Sequence, residues 1–342
     1  MATPKLSVLV TTVSTTILAG GFAALVYRWL KQRRAQRDSS SFELGDGNRL
    51  PAVGFGTFTI PDADAERCVA TALRCGYRHI DTAEFYENER GVGRAIAASG
   101  LARSSVFVTT KLDPGAVQWG QTAKTYETTL AACERSVRER LGLSYVDLYL
   151  IHTPLSGREG RVEQWRACVE CQRLGLCKSI GVSNFEVHHL EELEAAGLPP
   201  PAANQIELHP LCQKRELLAY MRARRIAPIA YSSLAPLSTW REGYAAFGGS
   251  KSGGALATSS RISEVAKRVG VSEAKLLLRY ALQKGWAVLP KSVSDARLRE
   301  NIDLASFTIP ETEMEALDAM ESDAAYAFGS PGEPFDPSKF DS

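Results

Sequence analysis

The chain has almost no net charge. Its 40 Lys and Arg residues against 39 Asp and Glu leave +1 at pH 7 over 342 residues. A surface so balanced offers no electrostatic footprint for nucleic acid or for a strongly acidic partner. Metal motifs are missing too: the five histidines form neither HxH nor HExxH. Cys168 and Cys171 make a CxxC with no second pair at zinc spacing, which reads as two thiols one helical turn apart. The cysteine count is odd, at seven, and reads as reduced thiols in a cytosol-facing domain. No glycine fingerprint follows the first strand candidate. Gly91 to Ile96, GVGRAI, has isoleucine where a dinucleotide-binding turn needs its third glycine. No internal repeat is present. Acids are absent before Asp38.

That last absence isolates the N-terminus. Ser7 to Tyr27 carries no charge and is long enough, at about 1.5 Å per residue, to cross a bilayer core as a helix. Arg28, Lys31, Arg33, Arg34 and Arg37 follow it. The positive-inside rule then predicts a single-pass anchor through residues 7–27 with the remaining chain in the cytosol. A mitochondrial or plastid targeting segment over residues 1–40 is the rival. The domain expectation is an anchor and basic linker at 1–40 and one catalytic domain at 41–342.

From Phe42 onward, strand and helix patterns alternate. Phe42 to Leu50, with Gly45-Asp46-Gly47-Asn48 at its centre, reads as a β-hairpin. Eight short strand candidates follow: 52–57, 78–81, 106–111, 146–151, 179–182, 203–207, 227–231 and 287–289. Helical spacing fills 63–75, 87–98, 124–141, 162–174, 188–196, 214–225 and 272–283. Such alternation predicts an α/β fold, a (β/α)8 TIM-type barrel entered through an N-terminal hairpin. An open doubly wound sheet would want the fingerprint that is missing. The Gly/Ser-rich segment 239–260 reads as a mobile loop over one barrel face.

In such a barrel, function gathers at the C-terminal strand ends. Those ends carry Gly56 and Thr57, then Asp81 with Tyr86 in its loop, Lys111, His152, Ser183 with Asn184, Gln205, Tyr231 with Ser232, and Lys291 with Ser292. Asp81, Tyr86, Lys111 and His152 would converge on one mouth. A tyrosine near pKa 10 is a poor acid at neutral pH. A lysine beside it favours phenolate and lowers that pKa, an aspartate keeps the lysine charged, and a neutral histidine orients a carbonyl. A structural Asp–Lys pair with a buried His and Tyr is the bland alternative. Four such residues on three successive strand ends and the intervening loop favour a site that protonates an oxyanion as it forms.

GYRHIDTAEFYENE (76–89), LGLSYVDLYLIHTP (141–154), GVSNF, NQIELHP and LPKSVSDARLREN (289–301) together resemble the aldo-keto reductases, from about Phe42 to Ala324. The resemblance implies a triosephosphate-isomerase-type barrel that reduces small-molecule aldehydes and ketones with NADPH. It implies Tyr86 as general acid tuned by Lys111 and Asp81, with His152 orienting the carbonyl. Carried over by position, Tyr231 would stack on the nicotinamide, and Ser183, Asn184 and Gln205 would bond its carboxamide. Lys291, Ser292 and Arg297 would take the 2′-phosphate, and Glu300 and Asn301 the adenine. Gly56, Thr57, Asp81, Ser232, Leu234 and Val293 complete the implied cofactor contacts. Thr153 and Leu112 stand where aromatic residues are common in the family, so a less aromatic pocket is expected. No protein partner is evident. The competing function is a membrane-tethered regulatory subunit or sensor that binds NADPH with little turnover. The intact Asp81–Tyr86–Lys111–His152 set favours the enzyme.

Overall fold

A computed structural model of the chain describes residues 41–117, 120–237 and 254–322, with backbone alone for 254–259. These residues belong to a unit that begins at Ser41. Strands β1 (Ser41–Glu43) and β2 (Arg49–Pro51) pair antiparallel, with Phe42 opposite Leu50. Eight parallel strands follow: β3 (Phe55–Gly56), β4 (His79–Asp81), β5 (Phe107–Leu112), β6 (Val146–Ile151), β7 (Cys177–Ser183), β8 (Ala203–Glu207), β9 (Ala227–Tyr231) and β10 (Ala287–Val288). They pair in chain order. The two edges meet as well. Val53 bridges Val288, the Val288 amide donates to Ala52 O at 2.9 Å, and the Gly54 amide donates to Val288 O at 2.8 Å. The sheet is therefore closed, as the alternation of elements predicts.

Side-chain alternation divides two cores. Leu148, Leu150, Ala203, Ile229 and Ala287 point into the barrel and pack against Leu44 and Leu50 of the hairpin. The Gly45 amide donates to Ala202 O at 2.9 Å and the Asn48 side chain to Ser179 Oγ at 3.0 Å. The hairpin thus stoppers the N-terminal end of the barrel and leaves the C-terminal end as the open one. Close packing in the barrel demands glycine at position 54, where a Cβ would lie 2.5 Å from His79 Nδ1. The opposite strand faces pack against the helices. In α1 (Asp62–Arg74), Ala65, Cys68, Val69, Ala72 and Leu73 form one buried stripe at helical spacing.

The helices continue with α2 (Glu89–Ala98), α3 (Tyr126–Glu134), α4 (Gly157–Arg173), α5 (Val187–Ala195), α6 (Arg215–Ala223), α7 (Gly254–Val269), α8 (Glu273–Gln283), α9 (Asp295–Ile302) and α10 (Glu311–Asp318). Three features depart from expectation. The predicted helix over 124–141 is α-helical only to Glu134, then continues as a π-turn through Arg135–Arg140. Helix α7 begins at Gly254, inside the segment 239–260 predicted to be a mobile loop; residues 239–253 of that segment lie outside the described residues. The expected membrane anchoring, with a cytosolic catalytic domain, is corrected. Among the described residues no helix is long and apolar enough to cross a membrane. Residues 7–27, on which that expectation rested, and the targeting alternative over 1–40 lie outside the described residues. All seven cysteines are free, and Cys168 and Cys171 are both fully buried.

His79 lies in the barrel interior, fully buried, with Nε2 2.9 Å from Thr109 Oγ1. Burial pushes its imidazole down to about 4. A histidine kept neutral by folding stabilises fully above its unfolded pKa of about 6.5, and that contribution is lost as pH falls toward 4. His79→Gln should flatten this part of the curve. In urea titrations, the wild type should lose about 1 kcal/mol per pH unit more than the variant across that window. Parallel curves for the two proteins would show that His79 is not held neutral.

Candidate active site

The site is built from the last residues of the strands. Asp81 ends β4 and Lys111 lies one residue before the end of β5; both side chains point inward. Lys111 is fully buried, which is rare for lysine and demands partners. Its Nζ donates to Asp81 Oδ1 at 2.6 Å and to Thr82 O at 2.9 Å, and lies 3.4 Å from Tyr86 Oη. The second Asp81 oxygen accepts from Gln205 Nε2 at 2.8 Å. Burial works against the Lys111 ammonium, but Asp81 and Tyr86 outweigh it, and its pKa lies above the ordinary value.

Tyr86 ends a 3₁₀ turn, Glu84–Tyr86, that follows β4. Asn88 ties this turn to the loop after β3. Its amide donates to Thr57 O at 2.9 Å and Ile60 O at 2.8 Å, and its oxygen accepts from Thr82 Oγ1 at 2.6 Å. Tyr86 Oη is 3.5 Å from His152 Nε2. Burial pushes the Tyr86 hydroxyl above its usual pKa, while Lys111 pulls it down. The net direction is opposite to the lowering expected from lysine alone, because desolvation of the phenolate outweighs the cation. His152 is held well below the ordinary imidazole range by burial, with the Lys111 charge adding to the effect. Both effects favour its neutral form.

A cleft of about 820 Å³ opens over these groups. It runs from Phe58, Tyr86 and His152 past Ser183, Asn184, Gln205 and Tyr231 to Lys291, Ser292, Arg297, Glu300 and Asn301. Gly56, Asp81, Ser232 and Leu234 also line it. Three residues named from the sequence do not. Lys111 lies beneath Tyr86. Thr57 is fully buried, with its hydroxyl donating to Asp81 O at 3.0 Å. Val293 is 54% exposed. The polar wall is already ordered: Tyr231 donates to Asn184 Oδ1 at 2.6 Å, Asn184 Nδ2 to His152 O at 3.0 Å, and Ser183 Oγ to Gln205 O at 2.8 Å. Glu300, expected at an adenine, accepts from Ser272 Oγ at 2.5 Å.

Phe58 and Phe85 were not foreseen. The Phe58 ring lies 5.0 Å from Tyr86 and the Phe85 ring 6.3 Å from His152, and both line the cleft. They sit in loops without periodicity, so position next to Thr57 and Tyr86 was the one available signal. They add two aromatic rings to the cleft beside Tyr86 and Tyr231. Leu112, on which the expectation of a less aromatic pocket partly rested, is buried in the outer core instead. Among the described residues no cluster of His, Cys, Asp or Glu is arranged to hold a metal ion.

The Aldo/keto reductase family model matches residues 52–322. An aldo-keto reductase of Mycobacterium sp. (strain JLS) is 42% identical over 279 residues, covering 81% of this chain and 92% of that protein. The glyoxal reductase of Bacillus subtilis (strain 168) is 37% identical over 282 residues, covering 82% and 92%. The crystal structure of an aldo/keto reductase from Brucella melitensis superposes with a TM-score of 0.71 at 38% identity, covering 82% of this chain and 99% of that one. With its closed parallel barrel and the tetrad of Asp81, Tyr86, Lys111 and His152 at the open end, the chain belongs to the aldo/keto reductase family of oxidoreductases.

Proposed function

We propose that residues 41–342 form a catalytic domain that reduces small-molecule aldehydes and ketones to alcohols with NADPH, Tyr86 supplying the proton. One observation carries the reading. The Tyr86 hydroxyl stands on the cleft wall between the Lys111 ammonium at 3.4 Å and the neutral His152 imidazole at 3.5 Å. Membership of the family supports it, as does the name of the glyoxal reductase relative.

The cleft suits a nicotinamide dinucleotide. Tyr231 presents a half-exposed ring, fixed through its hydroxyl to Asn184, as a platform for a flat heterocycle. Ser183, Asn184 and Gln205 offer polar groups for a carboxamide. At the far end, Lys291, Arg297 and Ser292 suit a phosphate dianion, with Glu300 and Asn301 toward an adenine. Bound NADPH supplies the hydride. The chain handles everything else. His152, held neutral, directs one N–H at the carbonyl oxygen and fixes its approach. Tyr86, with its pKa raised by burial, keeps its proton at pH 7 until an alkoxide develops beside it. Lys111 then stabilises the phenolate that remains, and Asp81 with Gln205 holds Lys111 in place. Phe58 and Phe85 give the carbonyl end an aromatic wall.

Tyr86→Phe should lower kcat by about 10²- to 10⁴-fold and leave the NADPH dissociation constant nearly unchanged. Normal turnover in that variant would remove Tyr86 from the acid role. Lys291→Ala with Arg297→Ala should shrink the NADPH over NADH preference in kcat/KM by about tenfold or more. An unaltered ratio would place the phosphate elsewhere. The pH profile of reduction should stay level from about 5.5 to 9 and fall only above about pH 10, as Tyr86 loses its proton. A limb near pH 6.5 would show that His152 titrates there.

A further inference from the structure

Beneath the Tyr86 turn lies a chain of charges that the proposed reaction does not use. Glu84, two residues before Tyr86 in the same 3₁₀ turn, accepts from the Asp113 amide at 3.1 Å. It also pairs with Lys124 at 3.4 Å and with Arg140 Nη1 at 3.5 Å. The same Arg140 nitrogen lies 3.2 Å from Glu89 Oε2. Glu89 is 2% exposed, and its other oxygen accepts from Thr110 Oγ1 at 2.5 Å. Thr110 directly precedes Lys111. Ser136 completes the Glu89 shell at 3.2 Å. One guanidinium therefore links the turn that carries Tyr86 to the strand that carries Lys111.

The backbone that presents Arg140 is unusual. Residues Arg135–Arg140 are π-helical, and the Leu141 amide bonds to Ser136 O, five residues back, at 2.9 Å. The wider turn shifts the register of every side chain beyond Glu134. It is gripped from the other side by α2: a Cβ on Gly93 would lie 2.1 Å from Leu141 O. Single π-turns inside helices often mark functional positions. Burying Glu89 without a cation is costly, and a carboxylate so placed is retained only when paired and hydrogen-bonded.

We propose that Arg140 is a positioning residue, presented by the π-turn, which sets the distance between Tyr86 and Lys111 by holding Glu84 and Glu89 together. It touches neither substrate nor cofactor. Loss of the clamp would leave the cleft intact but let the Tyr86 turn drift from the ammonium and the imidazole. A misplacement of about 1 Å at reacting groups can cost on the order of 10²-fold in rate. The inference rests on Tyr86 as the acid.

The test uses the full chain with Glu84→Gln, Arg140→Met and Arg140→Lys, each beside Tyr86→Phe. Glu84→Gln keeps the Arg140–Glu89 pair, so it reports on the clamp even where Arg140→Met fails to fold. Expected are falls in kcat of about tenfold in Glu84→Gln and Arg140→Met. NADPH dissociation constants should stay within about twofold, since the cofactor cleft is not touched. Arg140→Lys should recover much of the loss, and the double variant Glu84→Gln/Arg140→Met should be no worse than its slower single, because both remove one linkage. Wild-type kcat in Glu84→Gln, or additive losses in the double variant, would overturn the clamp. A parallel fall in NADPH affinity would do the same by revealing a general structural defect. Turnover in Tyr86→Phe would overturn the acid assignment itself, a different failure.

Discussion

A lysine with no exposed surface, held 2.6 Å from an aspartate at the open end of a closed barrel, is the constraint on which the site depends. A buried ammonium is tolerated only if its partners are close and its remaining protons are bonded. Asp81 supplies the charge and Thr82 the carbonyl, while Gln205 occupies the second Asp81 oxygen so that the carboxylate cannot turn away. Removing either charge would strand the other in a low-dielectric interior, so the pair is as much a structural commitment as a chemical one. Tyr86 is set against this fixed cation. Burial favours its neutral form and the cation favours its phenolate, and the two pull in opposite directions. That opposition suits a group which must hold a proton and then release it.

The barrel supplies rigidity and the loops supply reach. The hairpin stopper and the Leu148, Leu150 and Ile229 layer fill the barrel below, so inward side chains at the top stand on a packed floor. Above it the backbone is less relaxed. Thr59, Glu87, Asn184 and Ser232 adopt left-handed conformations at φ between 52° and 63°, and all four lie at the rim or flank the catalytic turn. Non-glycine residues hold such angles only where the surroundings over-determine them. Asn184 shows how: its side chain is fixed by His152 O, Ser183 and Tyr231 at once.

Much of this is legible in the sequence. Short apolar strands ending on polar residues gave away the barrel and placed Asp81, Lys111 and His152 on one rim, because strand alternation and parallel register leave little freedom. Gln205 reads from the sequence as a cofactor contact, and its amide also holds Asp81 across 124 residues of sequence. No local pattern encodes such a pairing. Phe58 and Phe85 escaped because loops have no period to betray which side chains face inward. Helix α7 began within a glycine-rich stretch that reads as coil, and the π-turn at Arg135–Arg140 leaves no mark in composition. The apolar N-terminal run read as a membrane anchor, but among the described residues no helix is long and apolar enough to cross a membrane.

The most direct measurement is the titration of Tyr86 itself, by carbon NMR of ring-labelled tyrosine in the wild type and in Lys111→Met. Tyr86 should titrate above its ordinary value of about 10 in the wild type, and higher still once the ammonium is gone. A Tyr86 pKa that is unchanged or lower in Lys111→Met would contradict the claim that the buried lysine stabilises the phenolate.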